Sequence, residues 1–153
     1  MASTTTALPK RSEVPAEYQW KLEDLFPTQD AWQKEYDEVK QLLKRTADFH
    51  GKLNNAETIR QCFELEDEIS LHTERLYVYA GMRHHQDMAD PTYQALNDKA
   101  KKLSVEVGEA LSFITPEILS LSEEQLKALI DDPTLKPYKQ TLEEMLRQKP
   151  HVL

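Results

Sequence analysis

From Tyr93 to Ile114 the apolar residues recur at spacings of three and four without a miss: Tyr93, Leu96, Ala100, Leu103, Val107, Ala110 and Ile114. Such spacing holds them on one narrow stripe of an α-helix, and a stripe of about three heptads needs a second long helix to cover it. The preceding segment supplies one. Ile59, Cys62, Ile69, Leu76 and Tyr79 share a face of a helix that opens at Asn55 and reaches about His84. Only His85 to Asp90 separate the two, so the pair is expected to fold back as an antiparallel helical hairpin. Asp90-Pro91 marks the restart, with aspartate as cap and proline at the first helical position.

The remaining elements follow from caps and breakers. Thr28 is the expected cap of a helix carrying Trp32, Tyr36, Val39 and Leu43, with Asp30 near its positive end and His50-Gly51 closing it. Thr115-Pro116 restarts a short turn, and Ser122 with Gln125 forms a capping box for a helix bearing Leu126, Leu129 and Ile130. Asp132-Pro133 closes that helix, and a last one carries Tyr138, Leu142, Met145 and Leu146 until Pro150. Residues 1–10 are rich in Ser, Thr and Ala and are expected to be a flexible lead-in. Residues 11–27 hold Tyr18, Trp20, Leu22, Leu25 and Phe26 between Pro15 and Pro27, and read as an extended aromatic arm in need of a partner surface. The expected fold class is all-α: an antiparallel helical bundle built on a long hairpin, with that arm at its N-terminal side and the helical lobe running over 28–153.

Composition narrows the function. Three glycines in 153 residues leave little material for tight hairpins. A domain of this length can bury about two thirds of its unfolded surface, so a core is within reach. A formal charge of -8 repels nucleic acid and anionic membrane surfaces, and no basic patch overrides it. No apolar run has the length of a signal core or a membrane span, and the chain reads as cytoplasmic. The single cysteine, Cys62, rules out an intrachain disulfide and lies among core positions.

Each candidate for chemistry has a plainer explanation. His84 and His85 are neighbours on a helix and point about 100° apart, so with Asp87 they read as a solvated helix end. His72 with Glu68 or Glu74 is the other helical pairing open to a metal. None of the five histidines belongs to a helix with two histidines four apart and a glutamate after the first. The carboxylates Glu64, Glu66, Asp67 and Glu68 read as a solvated face, and Gly51, Gly81 and Gly108 form no phosphate-binding motif. Tyr77 and Tyr79 flank the hairpin seam and are either core or part of a substrate wall. No catalytic, cofactor-binding or metal-ligating residue is assigned.

Several stretches in order resemble the start of oligoendopeptidase F, in the thimet-oligopeptidase-like family of zinc peptidases. They are Arg11-Ser12-Glu13-Val14-Pro15, then Tyr18, Trp20, Leu22 and Asp24-Leu25-Phe26, followed by Trp32 and Tyr36. Further on come Leu76-Tyr77-Val78-Tyr79-Ala80, Asp87, Asp90-Pro91, Tyr93-Gln94, Ser112-Phe113 and Pro116-Glu117-Ile118. The resemblance implies a clamshell-shaped helical enzyme whose N-terminal helices form one wall of a channel for short peptides. In that family a helix with two histidines and a glutamate, plus a later glutamate, holds zinc. No position here matches those residues, so zinc belongs to the full-length parent and not to this chain. The ending at His151-Val152-Leu153 reads as an interior point of a longer chain.

Two readings stand. In the first, the chain is the non-catalytic N-terminal lobe of a peptidase or a stand-alone relic of one, with a catalytic domain and oligopeptides as partners and self-association through exposed surface. In the second, it is an independent binding module whose seam, including Leu103 and Val107, grips a partner helix.

Overall fold

The computed structural model describes Pro9 and residues 13–151; the expected lead-in and the Arg11-Ser12 start of the arm lie largely outside those residues. The helices are α1 (Gln29–Arg45), α2 (Ala56–Gln86), α3 (Pro91–Leu111), α4 (Ile114–Leu119), α5 (Glu123–Asp131) and α6 (Lys139–Gln148), with no strand among the described residues. The caps stand where the sequence places them. Thr28 Oγ1 accepts from Ala31 N, and Asn55 Oδ1 accepts from Thr58 N. Asp90 Oδ1 accepts from Thr92 N ahead of Pro91 at the first turn, and both bonds of the Ser122–Gln125 capping box are made. Each satisfies donors that a helix start otherwise leaves open.

The hairpin is α2 and α3. Leu76, Tyr79 and Ala80 of α2 meet Leu96, Ala100, Leu103 and Val107 of α3 in one buried cluster. Gly81 of α2 faces Asn97 of α3, whose Oδ1 would stand 4.0 Å from an added Cβ. Helix α1 lies along one side of this pair and fills the groove between them. Trp32 is wholly buried and its indole N–H donates to the Leu76 carbonyl at 3.0 Å, while Lys40 pairs with Glu106 of α3. The chain order of these contacts makes α1 antiparallel to α2 and parallel to α3.

A second cluster gathers Leu53, Ile59, Cys62 and Phe63 with Ile114, Ile118, Leu126, Leu135 and Leu142. Helix α2 is long enough to serve both clusters, which makes it the spine of the molecule. Gly51, at φ 74°, turns the chain into this region, and the Glu117 carboxylate accepts from the backbone N–H of Gly51 (2.9 Å) and Leu53 (2.7 Å). A positive φ suits glycine because it has no Cβ to clash.

Three expectations are corrected. The described part of the arm, residues 13–27, is not extended: within it, Ala16–Tyr18 and Leu22–Asp24 are 3-10 turns, and Phe26 N–H donates to the Leu22 carbonyl. The four-residue spacing of Leu22 and Phe26 puts both on one side of a turn, and both enter the first cluster. The seam is not a free surface either, since Leu103 is 0% and Val107 8% exposed against the chain's own helices. Finally, Ile114 does not continue the third helix. It opens α4 and joins the second cluster, because the chain bends after Leu111.

Candidate functional site

Arginines of α2 clasp the N-terminal segment. Arg75 donates to the Glu35 carboxylate of α1 (3.0 and 3.2 Å) and to the Leu25 carbonyl (3.1 Å), and its guanidinium lies 5.1 Å above the Phe26 ring. About two turns on, Arg83 donates to Glu23 (2.9 Å) and sits 5.2 Å over Tyr79, whose ring meets Phe26 edge to face. A fork of donors that also stacks on an aromatic face is what arginine offers and lysine does not. Sequence reasoning missed Glu35 and Arg75. The available signal was that Glu35 follows Trp32 by three residues on α1, beside its buried face.

The residues singled out for metal chemistry are not brought together. His72 Nδ1 is 2.8 Å from Glu35 of α1, not paired with Glu68 or Glu74 of its own helix, and Glu68 reaches Arg45 instead. The His84 and His85 rings are 5.8 Å apart, tilted by 42°, and Asp87 caps Ala89 N. His50 stacks on Phe113. Among the described residues no group of three or more His, Cys, Asp or Glu is arranged to hold a metal ion.

The carboxylates of α2 divide. Glu64 pairs with Arg60, and Asp67 accepts from the Tyr138 hydroxyl at 2.8 Å. Glu66 is half-buried, and its pKa is raised by that burial first and by Asp67 second. Cys62 is buried, and its thiol is pushed up to about 11, mainly by burial and then by the charges of Glu66 and Glu117. A thiol held protonated is a poor nucleophile.

The surface offers two concavities worth describing. A cleft of about 350 Å³ lies between the N-terminal segment and the end of α2, walled by Val14, Tyr18, Trp20, Met82 and His85. Trp20 and Tyr18 are 77% and 75% exposed there, so the aromatic segment is divided, with Leu22 and Phe26 inside and these two outside. A groove of about 420 Å³ runs between α2 and α3 and is lined by Thr73, Glu74, Tyr77, Val78 and Ser104. The two tyrosines of the seam are divided likewise: Tyr79 is core and Tyr77 lines the groove. No helix of the described residues is long and apolar enough to cross a membrane.

The oligopeptidase PepF of Bacillus subtilis is 41% identical over 148 residues, 95% of this chain but 22% of that protein. The crystal structure of oligoendopeptidase-F from Enterococcus faecium superposes with a TM-score of 0.74 at 31% identity, covering 82% of this chain and 24% of that one. The chain corresponds to the N-terminal region of the oligoendopeptidase F family. The family model described as Oligopeptidase F matches residues 117–153, the part that begins at Glu117-Ile118. A solved chain from Chlamydophila abortus shares the fold with a TM-score of 0.84 at 26% identity, over 94% of this chain and 25% of that one. The chain thus spans about a quarter of the length of its oligoendopeptidase F relatives, and its helical architecture is that of their N-terminal part.

Proposed function

We propose that this chain is the N-terminal lobe of a cytoplasmic zinc metalloendopeptidase that hydrolyses short peptides, and that the lobe shapes the channel without taking part in the chemistry. The observation that carries the reading is the 41% identity to an oligopeptidase along nearly the whole chain, although the chain spans 22% of that relative. The use of the charged and aromatic side chains supports the second half. Glu35, Arg75, Arg83, Glu117 and Tyr138 are all engaged in holding helices and turns to one another. Residues 28–153 form the helical lobe in this reading, with Leu22 and Phe26 docked on it from the segment before.

The test is the intact mass and activity of the native gene product. A product several times heavier than 17.8 kDa that cleaves a quenched fluorescent oligopeptide, loses the activity to a chelator and regains it with zinc is the expected result. A product of 17.8 kDa, or a heavier one without zinc-dependent cleavage, overturns the reading.

A further inference from the structure

Each hairpin helix carries a second stripe with the same spacing as its core seam. On α2 it is Glu66, Ser70, Thr73 and Tyr77, and on α3 it is Asn97, Lys101, Ser104 and Gly108, each set at steps of four, three and four. Because α2 and α3 run antiparallel, the two stripes face the same side of the hairpin, opposite the side that α1 fills. Their small residues leave the groove between Tyr77 and Ser104 open. A Cβ at Gly108 would have nothing within 4 Å. Glycine inside a helix is less favourable than alanine, and among the described residues nothing lies within 4 Å of a Cβ at that position to explain it. Val78 of α2 lines the groove and is 46% exposed.

The opposite side shows what fits such a groove, since α1 fills it there with Trp32, Tyr36 and Val39. We infer that the open side seats a helix from the remaining three quarters of the longer protein, with aliphatic side chains over Thr73 and Ser104 and a Lys or Arg facing Glu66. The inference rests on the reading of this chain as a peptidase lobe. Three observations favour this occupant. The matched relatives are about four times as long as this chain, so the lobe must offer some face to the rest of such a protein. Glu66 is half-buried, and no hydrogen bond or ion pair to it occurs among the described residues. The other side of the same hairpin already seats a helix, α1, through Trp32, Tyr36 and Val39.

The test is thiol labelling in the full-length protein, read at the substituted site by peptide mapping. Ser104→Cys is placed in the groove, and Lys102→Cys serves as an exposed control on the other side of α3. In the full-length protein, Ser104→Cys reacts about tenfold or more slowly than Lys102→Cys, at a ratio independent of protein concentration and of added oligopeptide. Comparable rates at the two sites overturn the inference. Protection that fades on dilution makes a second copy the occupant, and protection that appears only with added oligopeptide makes it substrate; either also overturns it. If the native product is heavy and cleaves peptides while Ser104→Cys stays reactive, the groove assignment alone is wrong. If the native product has the mass of this chain, the lobe reading itself has failed.

Discussion

At the scale of single residues, environment decides what each ionisable group contributes. Cys62 has a thiol raised from 9.0 to about 11, so the folded state prefers the protonated form. Its contribution to stability is present below the ordinary thiol range and is lost as pH rises through that interval. A thiol reagent at mildly alkaline pH is therefore expected to label Cys62 slowly in the folded chain and rapidly in urea; equal rates would show that the site is open. Glu66 has the same sign with a different consequence. Its carboxyl is raised by burial, so its charge destabilises the lobe at neutral pH and the penalty disappears as pH falls below the ordinary carboxylate range. Glu66→Gln should raise the melting temperature of this chain at neutral pH and leave it unchanged in acid. A loss of stability at neutral pH would mean that Glu66 has a partner within the lobe.

At the scale of elements, the N-terminal segment behaves as two pieces. Phe26 is 2% exposed, lies under the Arg75 guanidinium and meets Tyr79, whereas Trp20 is 77% exposed. Phe26→Ala should cost about 3 kcal/mol in denaturant melts, the ordinary cost of emptying an aromatic core site. Trp20→Ala should change stability by about 0.5 kcal/mol or less, as surface substitutions do. Comparable losses at both positions would place Trp20 in the core. The caps of α1, α2, α3 and α5 were legible because a cap is a local event, settled by a few adjacent residues. The docking of Phe26 was not, because it depends on Arg75, about fifty residues away on another helix.

At the scale of the whole molecule, α2 is the member on which both clusters depend, and the α2–α3 seam is interior. Leu103→Asp is therefore expected to unfold the lobe, with loss of helical circular dichroism, rather than to dissociate a folded dimer into folded monomers. A charge at a fully buried position has no partner and costs several kcal/mol, a large fraction of the total stability of a domain. A folded, helical Leu103→Asp chain would restore the binding-module reading. The pattern of use argues the same way, since the apolar stripe read as a candidate grip for a partner is spent on the chain's own fold.

The sequence alone determined the hairpin and the capped starts of α1, α2, α3 and α5, because these rest on periodicity and on neighbours a few positions apart. It also carried the family resemblance, through an ordered set of short stretches. Tertiary structure decided which aromatic residues are inside, since Trp20 and Phe26, or Tyr77 and Tyr79, look alike until a packing partner covers one of each pair. It decided that His72 turns to Glu35 of α1 rather than to acids on its own helix, since a contact between helices depends on their crossing and not on spacing. And it alone revealed the open side of the hairpin, because a stripe of Ser, Thr and Gly carries no hydrophobic signal and becomes a groove only when two helices are set side by side.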